Sequence, residues 1–303
     1  MRRICVVGSS NMDLVTRVPR MPEAGETLAA DGFATGPGGK GANQAVAAAR
    51  CGADVALVTR LGDDVFGHAL LDGYRAVGLD VSHALTVADR PTGTATILVE
   101  PSGENRILVA AGANAGLTVE AVEAAADVLR AATLVVLQLE VPLEAVARTV
   151  DIGSAAGVDV LFNPAPARAD LDLDLACRAR FLVPNRGELA LLTGLPSDRI
   201  EDVEAAARSL VRRGAGTVIV TLGSDGALIV EAESARHIPA PQVAVRDTTG
   251  AGDAFIGAFA AAFVTRPDID AAVAAAVAYA ADTTTRAGAQ ASYRDGPARQ
   301  QHQ

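Results

Sequence analysis

Near the carboxyl end of the sequence, "VRDTTGAGDAFIGAFAAAF" sets a carboxylate, Asp253, directly after the small residues Gly250, Ala251 and Gly252 and at the head of a long apolar run. Small residues at a helix start let successive backbone N–H groups converge on one point, where the helix dipole also favours negative charge. Such a loop is an anion hole. A carboxylate beside it supplies the remaining part for phosphoryl transfer, a base for an attacking hydroxyl. Asp253 also reads as an ordinary helix-start carboxylate, but that role does not call for three small residues before it.

A second glycine-rich stretch, "GFATGPGGKGANQAVAAARCG", contains Lys40, the only lysine of the chain. Gly36, Gly38 and Gly41 satisfy the dinucleotide fingerprint G-x-G-x-x-G, which should follow directly on the first strand of a βαβ unit and here does not. A phosphate-binding P-loop needs Ser or Thr after the lysine, where this chain has Gly41, and Ala34 stands in place of its first glycine. What remains is a turn opening a helix near Ala42. Either its bare N–H groups and Asn43 face a polar ligand, or it is a turn and nothing more.

The elements that must hold these loops are legible as alternation. "RICVVGSS", "VALVTRLG", "TLVVLQLE", "VDVLFNPAP", "ARFLVPN" and "GTVIVTLG" read as buried strands, with alanine-rich helical stretches between them, one of which opens at Pro142. This pattern predicts an α/β fold with a doubly wound, mostly parallel sheet flanked by helices. Ligands of such sheets bind beyond the carboxyl ends of the strands. Polar residues placed there are Asn11, Asp13, Glu140, Asn163, Asn185 and the turn after Thr221. Each alone also reads as a cap or turn residue. Two segments, about 13–36 and 84–112, break the alternation with short strands and the hairpin signal "PSGEN", and are expected to form one small β-layer projecting from the sheet edge.

With 303 residues, half of them apolar and a fifth charged, the chain suits one large globular domain. A net charge of −10 argues against a nucleic-acid surface. Cys5, Cys51 and Cys177 lie far apart, as free thiols in a reducing compartment would. The apolar run after "MRR" is too short for a signal peptide. "AAVAAAVAYAA" is shorter than the roughly 20 residues of a membrane span. A cytoplasmic location and no membrane partner are the expectation.

The chain resembles the ribokinases of the PfkB-type sugar kinase family, from the first strand to about Ser292. "GGKGANQA" and "DTTGAGDAF" stand where that family has its two signature regions, and "NPAPAR", "PNRGE", "TLGSDGA" and "TRAGAQAS" follow the family's order. The resemblance implies ATP-dependent phosphorylation of the 5-hydroxyl of D-ribose, with the small β-layer as a lid that also forms a homodimer contact. It implies sugar binding by Asn11, Asp13, Gly39, Lys40, Gly41, Asn43 and Glu140, and Asp253 as general base beside the Gly250, Ala251 and Gly252 amides. Asn185 and Glu188 match an N-x-x-E pattern that acts near Mg²⁺ and the phosphates. The run Thr221, Leu222, Gly223, Ser224, Asp225 and Gly226 would hold the nucleotide. Asp247, Thr249, Thr283, Arg286, Gly288 and Ser292 match loops that surround K⁺. Arg186 replaces a usual glutamate, and Val277 stands where relatives often carry a polar residue near the adenine.

A ring of hydroxyls does call for the carboxylate and amide side chains that this set contains. Other substrates of the same family, namely 2-deoxyribose, fructose or a nucleoside, are alternatives. A nucleoside calls for aromatic side chains around the base, and the first lid segment offers only Phe33, the second none. A dinucleotide-dependent oxidoreductase conflicts with the loop context, and a non-catalytic sugar-binding regulator with the presence of Asp253.

Overall fold

Strand β1 (Arg3–Val7) is buried along nearly its whole length, and its period-two alternation feeds two separate cores. In a computed structural model of the chain, which describes residues 2–296, Cys5 and Val7 join one apolar cluster and Ile4 and Val6 the other. Both faces of the strand are therefore covered, as buried parallel sheets require.

The remaining strands are β2 (Asn11–Arg17), β3 (Gly32–Gly38), β4 (Asp54–Gly62), β5 (Ala84–Val87), β6 (Gly93–Val99), β7 (Asn105–Ala110), β8 (Leu134–Leu137), β9 (Asp159–Phe162), β10 (Phe181–Leu182), β11 (Thr217–Thr221), β12 (Ala227–Val230) and β13 (Ala235–Ile238). They form a nine-stranded sheet in the order β13-β12-β11-β10-β9-β8-β1-β4-β5 and a four-stranded sheet in the order β3-β2-β6-β7. The main sheet is parallel from β5 to β11 and ends in the antiparallel pairs β11–β12 and β12–β13. Helices Lys40–Arg50, Ala251–Thr265 and Ile269–Thr283 pack on the face carrying Ile4 and Val6. Helices Leu143–Ala156 and Ile200–Arg212 pack on the other.

Residues 84–92 depart from the expected lid. The segment Ala84–Val87 pairs in parallel with Thr59–Gly62 as the outer strand of the main sheet, and the small sheet takes up the chain only at Gly93. The "PSGEN" hairpin forms as read, with Val99 opposite Asn105 and Gly103 in the left-handed region at φ 87°. β10 is shorter than its apolar run suggested, because Pro184 has no N–H to extend a ladder. Its Phe181 still packs edge-on against Phe259 and Phe263, with ring centroids 5.1 and 4.8 Å away, and so seats helix Ala251–Thr265 on the sheet. Among the described residues no helix is long and apolar enough to cross a membrane.

Candidate active site

Because β1, β8, β9, β10 and β11 run in parallel, the residues after them share one rim. The chain leaves β1 through Gly8, Ser9 and Ser10 and enters the small sheet at Asn11. Ser9 Oγ donates to Glu140 Oε2 at 2.5 Å, and the same oxygen accepts the Lys40 N–H at 3.0 Å. Gly41 N–H donates to Ser9 Oγ at 3.4 Å and Ala42 N–H to Ser9 O at 2.8 Å. The N–H groups of Lys40, Gly41 and Ala42 are thus engaged within the protein. The helix begins earlier than read, at Lys40. Its glycines serve close approach: Gly39 has φ 86°, and a Cβ there would lie 2.7 Å from the Asn11 nitrogen.

Asp253 is 7% exposed, and both of its oxygens accept hydrogen bonds from helix Lys40–Arg50. Asn43 Nδ2 donates to Oδ2 at 3.0 Å and Gln44 Nε2 to Oδ1 at 2.9 Å. Asn43 was expected at the sugar; its amide is engaged here, with Gln290 Nε2 donating to its Oδ1 at 2.9 Å. Gln44 Oε1 accepts from Gln138 Nε2 at 2.5 Å, and Gln44 Nε2 also reaches Asn163 Oδ1 at 3.1 Å. The two helices meet because Gly257 has no side chain: a Cβ there would sit 2.5 Å from Ala47 Cβ and 2.5 Å from Gln44 O.

Helix Ala251–Thr265 starts after Gly250, held at φ 74° by Tyr293, whose hydroxyl donates to Gly250 O at 2.8 Å. Ala251 N–H closes a turn onto Thr248 O at 3.1 Å and is not available to a ligand. The N–H groups of Gly250, Gly252 and Asp253 have no acceptor among the described residues. The N–H groups open at this helix start are therefore those of Gly250, Gly252 and Asp253, and not the expected Gly250, Ala251 and Gly252.

Charges crowd around this point. Asp253, and behind it Glu140 and Glu188, hold the Lys40 ammonium above its usual pKa against the opposing effect of burial. Burial, with Glu140 and Asp253 nearby, pushes the Asp13 carboxyl up to about 7. Burial likewise raises Glu188, opposed by the Asn185 N–H and Lys40. Asn114 Nδ2 donates to Asn11 Oδ1 at 2.7 Å, which leaves the Asn11 NH₂ as the end free to meet a ligand. Asn11, Asn114, Glu140 and Arg168 border a cavity of about 350 Å³ between the small sheet and the main one. Lys40 reaches its rim through the N–H that it donates to Glu140.

At the start of helix Ala251–Thr265 lies a larger cleft of about 480 Å³, lined by Thr221, Gly223, Ser224, Gly226, Val243, Val245, Gly252, Phe255 and Val277 among others. Its walls are mostly apolar, as a flat heteroaromatic ring requires. Two residues of the Thr221–Gly226 run fall outside it. Leu222 is buried in the core beneath, and Asp225 points away to Arg186, at 3.1 Å. Arg186 also donates to the carbonyls of Ser197 and Asp198. Asn185 and Glu188 form a capping box, each side chain accepting the other's N–H at 2.8 Å.

Among the described residues no group of three or more His, Cys, Asp or Glu side chains could hold a metal ion. A magnesium ion carried by nucleotide phosphates needs only one or two protein carboxylates, and Glu188 keeps one oxygen outside its cap. Asp247 joins the two loops expected around a monovalent cation: Oδ1 accepts from Thr249 N–H at 2.9 Å and Oδ2 from Gly288 N–H at 2.7 Å. Thr283 and Ser292 are buried beside them. Arg286 is turned inward only as a brace, with its Nε on Ser292 O at 2.9 Å and its far end on Asp282. The donor set is oxygen-rich, as a hard cation prefers.

The model for pfkB family carbohydrate kinase matches residues 1–295. A deoxyribokinase of Salmonella typhi is 44% identical over 290 residues, covering 96% of this chain and 95% of the relative. A ribokinase of Schizosaccharomyces pombe is 44% identical over 270 residues, 86% of this chain and 84% of the relative. Among solved structures, Arabidopsis thaliana ribokinase complexed with ribose and ATP superposes with a TM-score of 0.90 at 31% identity, covering 99% of this chain and 98% of that one. The ribokinase of Thermotoga maritima gives 0.88 at 36%, with 97% of each chain covered.

Proposed function

The chain belongs to the pfkB family of carbohydrate kinases, and from that premise we propose that it transfers the γ-phosphoryl group of ATP to the 5-hydroxyl of D-ribose. The observation that carries this reading is Asp253: a buried carboxylate, held at both oxygens, in the first turn of a helix whose Gly252 lines the apolar cleft. In the proposed step Asp253 takes the proton of the 5-hydroxyl as that oxygen bonds to the γ-phosphorus. The bond from phosphorus to the bridging oxygen breaks, and ADP leaves with the electron pair. The N–H groups of Gly250, Gly252 and Asp253 meet the charge on the transferring oxygens, and Lys40 adds a positive charge between sugar and phosphates.

Asn11 and Asp13, on the first lid strand, and Glu140 would bind the sugar hydroxyls, with Asn11 as donor and the carboxylates as acceptors. Thr221, Gly223, Ser224 and Gly226 would border the nucleotide, with Val277 against its base. Glu188 and Asn185 would hold Mg²⁺ on the phosphates, where the ion neutralises charge. Asp247, Thr249, Thr283, Gly288 and Ser292 would surround K⁺, with Arg286 bracing the loop. Exposed Phe33, Ile107, Leu108 and Val109 of the small sheet would pack against a second copy. The enzyme would work in the cytoplasm.

A second reading, 2-deoxyribose as acceptor, is supported by the deoxyribokinase relative at the same identity as the ribokinase one. The test is ADP release measured with ribose, 2-deoxyribose, fructose and nucleosides, in potassium and in sodium salts. The ribose reading expects the highest kcat/KM with ribose and faster turnover in potassium. A preference for 2-deoxyribose selects the second reading, and equal rates in the two salts remove the potassium site.

A further inference from the structure

Asn43 has a donor end and an acceptor end, and only one orientation suits its place. With Nδ2 on Asp253 Oδ2, its Oδ1 must meet a donor, and Gln290 Nε2 is the one the described residues provide, at 2.9 Å. Turned by half a rotation, Asn43 would set Oδ1 against the carboxylate, two acceptors with no hydrogen between them. Asn43 is 6% exposed and Asp253 7%, so water is poorly placed to repair that contact. Gln44 secures only the other oxygen, and its own amide is fixed separately by Gln138. The turn carrying Gln290 is itself rooted on both sides, by Gly288 N–H on Asp247 Oδ2 before it and by Arg286 Nε on Ser292 O and Tyr293 on Gly250 O after it.

We propose that Gln290 is a positioning residue for the phosphoryl transfer. By occupying Asn43 Oδ1 it keeps the donor end of that amide on Asp253, and so keeps the carboxylate aimed at the acceptor hydroxyl. The inference rests on the reading of Asp253 as the base. It ties the turn Gln290–Ser292 to the reacting centre through a single side-chain amide.

Two variants of the full-length protein test it. Gln290→Met keeps the length and removes the donor; Gln290→Glu keeps the shape and replaces the donor by an acceptor. Each is expected to lower kcat by on the order of ten-fold, while KM for sugar and for ATP stays within about two-fold. In an Asn43→Ala background, Gln290→Met should cost almost nothing further, because the relay is already cut. A readout independent of turnover is the Asn43 side-chain NH₂ pair in ¹⁵N–¹H spectra, assigned by its loss in Asn43→Ala. Hydrogen exchange of that pair should be at least ten-fold faster in Gln290→Met, and its resonances displaced in Gln290→Glu. An unchanged pair overturns the inference, as does an equal kcat loss in both backgrounds. A parent protein that phosphorylates no sugar overturns the kinase reading alone and leaves the NH₂ measurement to decide this one.

Discussion

Gln44 Nε2 lies 2.9 Å from Asp253 Oδ1, across the contact between two helices that belong to opposite ends of the chain. Neither helix can hold the carboxylate alone. Asp253→Asn is expected to lower kcat by ~10²–10⁴-fold, the usual worth of a positioned base. Gln44→Leu, which leaves the carboxylate with one donor fewer, should lower kcat by about ten-fold or more with KM little changed. Steady-state kinetics of both variants measure this, and parent-like turnover in Asp253→Asn would remove the proposed mechanism.

Helix spacing sets that distance. Gly257→Val places side-chain atoms where Ala47 and the Gln44 carbonyl already stand. Overpacking of this kind costs typically ~1–3 kcal/mol. Denaturant unfolding should show a loss of that order, and kcat should fall further than stability alone explains, because Gln44 and Asn43 are carried away from Asp253. A variant with unchanged midpoint and turnover would contradict the close contact.

Asp13 supplies a pH signature. Its carboxyl is raised to about 7 in the folded protein, so the folded state holds a proton that the unfolded chain has released above about 4. By linkage the parent loses stability as pH rises from about 4 to about 7, and the loss is level above that. Asp13→Asn, which cannot ionise, should therefore stabilise the unliganded protein progressively over that window, read as a Tm difference at pH 4, 6 and 8. The same residue should make kcat/KM for sugar fall below pH 7, since the ionised form is the better acceptor for hydroxyl donors. A Tm difference independent of pH would mean that Asp13 titrates normally.

The edge strand β7 of the small sheet presents Ile107, Leu108 and Val109 at 54, 69 and 56% exposure. As a dimer contact it should be sensitive to charge at its centre. Leu108→Arg is expected to convert a dimer to a monomer in light scattering, with the far-ultraviolet spectrum unchanged. A parent protein that is monomeric at all concentrations would refute the contact.

The parts of the site that the sequence made legible are those where one residue type answers one local need. Strand–helix alternation placed the main sheet, and small residues before Asp253 marked a helix start. Tertiary demands were less visible. The glycines around Lys40 read equally as ligand loop or turn, and the close approach of Ser9 and Asn11, which leaves no room for a Cβ at Gly41 or Gly39, is a packing reason that a sequence does not display. Gln44, Gln138 and Gln290 carry the hydrogen bonds around Asp253 and Asn43, and Asn114 orients Asn11, yet a lone amide on an apolar helix or loop has no periodic signature. Gln44 and Gln290 did lie inside the quoted motifs "GGKGANQA" and "TRAGAQAS", which was the one available signal. Residues 84–87 were misplaced because a short β-branched segment carries no mark of which sheet it joins.

The passage from β1 into β2 takes three residues, Gly8 to Ser10, and the first residue of the small sheet on that strand, Asn11, is already one of the proposed sugar contacts. Cover and grip are therefore cut from the same ribbon. A swing of the small sheet would drag Asn11 and Asp13 with it, so under the proposed function a sugar that fits those two side chains would draw the hood down by being held, and a poor fit would leave it ajar.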